Sequence, residues 1–112
     1  MNDQLKELVR QVLTLLVAGK YADLEILTHG VRLTAMEMAK AVDDYGRKLV
    51  LPPDDRFRLV TVVEAKNVRP RRWSIAMPLW TQEEGRSDLT LEMTIIELKN
   101  AFAVELDDIH VL

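Results

Sequence analysis

Along the first part of the chain, apolar residues recur at three- and four-residue spacing. Leu5, Leu8, Val9, Val12, Leu15 and Leu16 form one stripe, with Lys6, Glu7, Arg10 and Gln11 on the other side, which predicts an amphipathic helix over residues 3–18. Asp3 is placed to cap its start and Gly19 to end it. "KYADLEILTHG" predicts a second, short helix stopped near Gly30. A third follows from the capping box of Thr34 and Glu37, in which the threonine oxygen accepts from the third amide and the glutamate returns to the threonine amide. Leu33 and Met38 stand at the staple positions, Gly46 is the left-handed terminator, and Arg47 and Lys48 complement the carboxyl end of the dipole.

Beyond "PPDD" at residues 52–55, where two prolines withdraw two donors and fix two φ angles, the period changes to two. Phe57, Leu59, Thr61 and Val63 alternate with Arg58, Val60 and Val62, and Trp73, Ile75, Met77 and Leu79 alternate with Ser74, Ala76, Pro78 and Trp80. A third strand sets Leu89, Leu91, Met93 and Ile95 against Asp88, Thr90, Glu92 and Thr94. The last keeps Phe102, Val104 and Leu106 inward and then changes parity to Ile109 and Val111, the phase slip that a β-bulge at Asp107 and Asp108 produces. Pro78 implies an edge or a bend. Helices followed by four strands predict one α+β domain over residues 1–112, with N-terminal helices packed on a curved antiparallel four-stranded meander.

Charge and composition narrow the function. With 15 basic and 18 acidic residues and a net charge of −3, the chain lacks the positive footprint of a nucleic-acid binder, and "KNVRPRR" reads as a solvated loop. The absence of cysteine removes thiol nucleophiles and thiolate metal sites and fits a reducing compartment. The N-terminal stretch holds only about six consecutive apolar residues, too few for a secretory signal or a membrane span, so a cytoplasmic protein without a membrane partner is expected. Phosphate-loop, dinucleotide, nucleophile-elbow and zinc-spacing patterns are missing from the sequence, and no cofactor or metal is expected.

Three constellations carry chemistry. In "WTQEEGRSDL" an arginine stands among carboxylates, and Gly85 supplies the positive φ that tight connections demand; a connection of about six residues serves as a structural loop, as a partner surface through Trp80, Glu84, Arg86 and Asp88, or as an acid/base site. Asp88 and Glu92 share a strand face, and either would gain basicity if that face lined a cavity. In "DDIH" the Asp108 carboxylate and the His110 imidazole share a face and can orient one another or hold a divalent ion, but two ligands are too few for a metal site; a bulge held by aspartate hydrogen bonds is the simpler account. Asp88, Glu92 and His110 are thus the weak catalytic candidates. Trp80, pointing away from the core-facing Trp73, is expected to share an apolar sheet face with Val60, Val62 and Ile96, which motivates a homodimer packed sheet to sheet.

The stretches "PLWTQEEGRSDLTLEMTI", "VELDDIHVL" and "DYGRKLVLPP" resemble an uncharacterised bacterial domain family of unknown function, over most of the chain from the first helix to Leu112. At the level of architecture, "LVAGKYADL" and the order of helices before meander are similar to the NTF2-like, cystatin-related cone. That resemblance implies pocket enzymes such as ketosteroid isomerases and dehydratases as readily as noncatalytic dimers and immunity-type proteins. The catalytic tyrosine and aspartate placements of the isomerases are not matched here, which lowers the enzyme reading. The expectation is a small binding or interaction module, homodimeric and open to a protein partner; the alternative is a small-ligand pocket or acid/base enzyme.

Overall fold

The computed structural model describes residues 3–112 and, within them, all side chains but those of residues 58 and 59. Helix α1 (Asp3–Val17) buries Leu5, Val9, Val12, Leu13 and Leu16, the stripe set by its 3.6-residue repeat. Each such side chain withdrawn from water contributes about 1.5–3 kcal/mol, which outweighs the modest helix propensity of its valines. Gly19, at φ 72°, turns the chain into α2 (Tyr21–Thr28), which buries Leu24 and closes on His29 in the left-handed conformation. Helix α3 (Ala35–Tyr45) opens with the expected capping box: Glu37 N donates to Thr34 Oγ1 at 3.2 Å and Thr34 N donates to Glu37 Oε1 at 3.0 Å. The Ala35 amide donates to Glu25 of α2, and Gly46 ends α3 in the left-handed conformation.

Five antiparallel strands follow in one sheet: β1 (Leu49–Val50), β2 (Thr61–Glu64), β3 (Arg72–Thr81), β4 (Gly85–Glu97) and β5 (Phe102–Val111). Their order is β1-β3-β4-β5, with β2 beside β1 along the same edge of β3. The four-stranded meander expected from the sequence therefore gains one short strand. Residues Trp80 and Thr81 pair with β1 and residues Trp73–Ala76 with β2, which leaves a gap opposite Pro78. Arg72 O accepts from Ala65 N, so the even-numbered residues of β3 turn their backbone groups toward this divided edge. The missing proline donor falls where no partner needs it.

The stretch after "PPDD" departs from expectation. Residues Asp54–Leu59 form a 3-10 helix, and only Thr61–Glu64 extend. Pro53 at the N-cap of this 3-10 helix and Asp54 and Asp55 in its first turn suit a helical start, and Arg10 of α1 docks on it: the Arg10 Nη1 donates to Asp54 Oδ1 at 2.7 Å and its guanidinium lies 4.6 Å from the Phe57 ring centre. Phe57 is buried, with Lys6 and Arg10 of α1 over its ring, rather than placed on a strand; the inward position expected of Leu59 lies outside the described side chains. Parity in β2 is also reversed. Val62 stands opposite Ile75, and both Val60 and Val62 pack against the core, while Thr61 and Val63 are exposed.

The core lies between the helices and one face of the sheet. Trp73, Ile75, Met77 and Leu79 of β3, Leu89, Leu91, Met93 and Ile95 of β4, and Val104, Leu106 and Ile109 of β5 are all buried. The parity change in β5 is a bulge: Met93 pairs with Leu106 and Glu92 with Asp108, so Asp107 has no ladder partner. Thr94 Oγ1 donates to Asp107 Oδ2 at 2.6 Å, and Arg32 Nε stands 3.3 Å from Asp107 Oδ1. Val111, expected inward, is 56% exposed and borders a groove instead. Among the described residues no helix is long and apolar enough to cross a membrane.

Candidate functional site

The β3–β4 hairpin is tighter than the sequence implies. Thr81 pairs with Gly85, so the turn comprises Gln82, Glu83 and Glu84, and Gly85 takes φ 74° as the left-handed residue such a turn needs. Its carboxylates are used locally. Glu84 Oε2 accepts from the Tyr45 hydroxyl at 2.9 Å, Glu84 Oε1 from Thr81 Oγ1 at 3.1 Å, and Glu83 Oε1 from Lys48 N at 3.1 Å. Burial of the ring and the neighbouring Glu84 carboxylate push the Tyr45 hydroxyl above the ordinary phenol value. Glu83 and Glu84 thus fasten the hairpin to the end of α3 and to the start of β1. Trp80 is half-buried, its ring 3.6 Å from where a Cβ on Gly85 would lie.

Trp80 is on the sheet face away from the core, as expected, but Val60 and Val62 are not there with it. They stand on the core side, so the apolar stripe of Trp80, Val60, Val62 and Ile96 does not form. The outer face is polar instead, with Ser74 opposite Thr94, Ala76 opposite Glu92, and Thr94 opposite Glu105. The basic segment is also engaged. Arg71 donates from Nε and Nη2 to Glu64 at 3.0 Å each and stacks on Trp73 at 5.0 Å.

On this outer face the sheet brings together Glu92, Asp108 and His110. One oxygen of each carboxylate and one imidazole nitrogen lie within 4.8 Å of one another. Glu92 and Asp108 are direct partners across β4 and β5, and His110, paired with Thr90, stands diagonal to Glu92. The imidazole sits between the carboxylates, with Nδ1 3.0 Å from Asp108 Oδ2 and Nε2 3.9 Å from Glu92 Oε1. The Nδ1 contact is close but poorly directed for a hydrogen bond, and Nδ1 is shielded from solvent without a hydrogen-bond partner. Asp108 Oδ1 accepts from Ile109 N at 2.9 Å, which fixes that carboxylate's rotamer.

Of the three catalytic candidates, Glu92 and His110 converge and Asp88 stands apart, exposed beside Arg86 and Leu112. Asp108 takes the third place. Its face-sharing with His110 is visible in the sequence, but its opposition to Glu92 depends on the β4–β5 register. Asp108 and His110 also border an open groove of about 530 Å³ between α3 and β5, where Leu33, Ala41, Leu89 and Ile109 give an apolar floor.

Fold and site together define a small α+β domain, helices covering one face of an antiparallel sheet and an imidazole–dicarboxylate cluster on the other. The model of the family described as a domain of unknown function, DUF7668, matches residues 13–112, and the chain belongs to that family. No curated protein and no solved structure matches the chain.

Proposed function

We propose that this domain is a noncatalytic binding module that acts as a homodimer, with the groove between α3 and β5 as its contact surface and a second copy of the chain as the occupant. A single observation carries the proposal: β5 is an edge strand, and its last residues, Ile109, His110 and Val111, border the groove, Val111 with 56% of its surface exposed. An edge strand presents unpaired backbone groups, and two copies meeting edge to edge satisfy both at once through an isologous contact. The bulge at Asp107 and the carboxylates of Glu105 and Asp107 disfavour pairing upstream, so the contact centres on Ile109–Val111. The hairpin residues Trp80, Arg86 and Asp88 are then left for a heterotypic protein partner, while Glu84 serves structure. Cytoplasmic localisation and an NTF2-like or cystatin-like outline belong to the same proposal, supported by the cysteine-free composition and by helices laid on one face of the sheet.

Sedimentation equilibrium over a wide concentration range, with Val111→Lys as the matched variant, tests this. A dimer for the wild type and a monomer for the variant are expected, because a charge at a partly exposed edge position disrupts pairing without entering the core. A wild-type chain that remains monomeric at all concentrations removes the homodimer. A second function has one observation in its favour, the convergence of Glu92, Asp108 and His110: an acid/base or small-ligand site on the open sheet face.

A further inference from the structure

We infer that Glu92, Asp108 and His110 form a binding site for a divalent first-row metal ion, with Zn2+ as the best fit. The site stands whether or not a second copy occupies the groove. Each residue offers one ligand atom, all within 4.8 Å of one another, and zinc held at about 2.0–2.2 Å brings its ligands to roughly 3.4 Å apart. Closing that difference takes a movement of roughly an ångström at the tips of half-exposed side chains, with no change in the backbone.

Two further observations point to a cation. Glu92 and Asp108 face each other directly across the ladder, where like charges are destabilising. Among the described residues no lysine or arginine pairs with either, although Arg32, Arg47, Arg71 and Lys40 each pair with another carboxylate. Among the described residues His110 is the sole counter-group, and its Nδ1 lacks a hydrogen-bond partner in a position closed to solvent. A divalent ion neutralises both carboxylates and gives the imidazole a function in one step.

The donor set selects the metal. One imidazole and two carboxylates suit a borderline ion such as Zn2+ better than Mg2+ or Ca2+, which prefer all-oxygen shells. Three protein ligands leave a coordination position for water or for a donor atom of a small anionic ligand, the arrangement of open rather than closed zinc sites. The strands hold the ligands in place. Glu92 is fixed by pairing on both sides, to Ala76 and to Asp108, and Asp108 by its bond from Ile109 N.

The test is titration of the tag-free, chelator-stripped full chain with Zn2+, by calorimetry and by competition with a chromophoric chelator. One equivalent is expected to bind. Glu92→Gln and Asp108→Asn, which keep shape and remove charge, should each weaken binding by at least about tenfold, and His110→Ala by more. Glu105→Gln, on the same sheet face, and His29→Ala, the other histidine, should leave affinity unchanged. Co2+ should give the visible d–d absorption of a four- or five-coordinate ion in the wild type and lose it in His110→Ala. Thermal melts of the metal-free variants confirm that each is folded. Substoichiometric binding by the wild type, or binding that persists equally in His110→Ala and the two carboxylate variants, overturns the site and leaves the cluster as a histidine side chain standing between two carboxylates.

Discussion

Ser87 is the side chain on which the register of β3 against β4 turns. Pro78 pairs with Thr90 but Trp80 pairs with Arg86, so between these pairs β4 spends two more residues than β3. Leu112 N donates to Asp88 O, which places the even-numbered backbone groups of this part of β4 toward β5 and those of Leu89 toward β3. There the ladder is interrupted, and the buried Ser87 hydroxyl fills the gap: it donates to Leu79 O at 2.7 Å and accepts from Leu89 N at 3.2 Å. Ser87→Ala strands both backbone groups. At about 1–3 kcal/mol for each of the two unsatisfied buried groups, the loss is about 2–6 kcal/mol, a large part of the about 5–15 kcal/mol that holds such a domain together. The melting temperature should fall by about 8 °C or more. Urea unfolding followed by tryptophan fluorescence measures this directly, with the m-value showing whether the folded state has stayed compact. A change below about 0.5 kcal/mol at unchanged m would mean that water or a small backbone shift satisfies both groups and that the hydroxyl does not hold the register.

Thr34→Ala removes one half of the capping box of α3 and should cost about 1 kcal/mol, read as a lower urea midpoint with unchanged slope; a variant as stable as the wild type would show that the Glu25 contact to Ala35 is cap enough. For Glu64, hydrogen bonds from the Arg71 guanidinium hold the carboxyl below the ordinary carboxylate value. A carboxyl lowered in the folded state contributes stability that is complete above its unfolded value and lost as pH falls through the folded one, so the pair supports the fold at neutral pH and fails on acidification. Carboxyl-carbon NMR should find Glu64 titrating low in the wild type and returning toward the ordinary range in Arg71→Gln; an unmoved titration would assign the shift to something other than the guanidinium.

What could be read from the sequence was whatever depends on neighbours a few residues apart. The α1 stripe, the Thr34–Glu37 box, the Gly46 terminator, the inward sets of β3 and β4 and the bulge in β5 are all local patterns, and each is found in the fold. The failures have a common cause in distant contacts. Phe57 through Val63 alternate like a strand, but the first half forms a 3-10 helix whose Phe57 is buried and whose Asp54 and Phe57 meet Arg10, far away in α1. That shift reverses the parity of Val60 and Val62 and takes them from the outer face. β1 is only two residues long and leaves no periodic trace. The hairpin carboxylates looked available for chemistry because their partners, Tyr45 and Lys48, lie across a turn in the fold rather than nearby in the chain. Two members of the cluster were visible as a pair in "DDIH", and the third needed a register that no single strand encodes.

That register gives the extra residue in β5 its significance. In an unbroken strand continuing from Val104 and Leu106, the inward positions would be 108 and 110, and the Asp108 carboxylate and His110 imidazole would enter the apolar core. Burying an unpaired charge there is far costlier than interrupting a ladder, so the strand takes the bulge. Asp107 absorbs the offset, held by Thr94 and Arg32, and from that point Ile109 closes the core while Asp108 and His110 emerge opposite β4 residues of the same polar face. The need for a dry core and the need for a polar outer face are met by the same step in the chain. It also follows that the backbone beneath the cluster is held as firmly as the sheet itself: its three side chains stand on two adjacent, paired strands whose opposite faces are locked by Leu91, Met93, Leu106 and Ile109. Such a base keeps the three ligand atoms close together and leaves only the side-chain tips to adjust, and backing of this kind is what a metal-binding or ligand-binding surface requires.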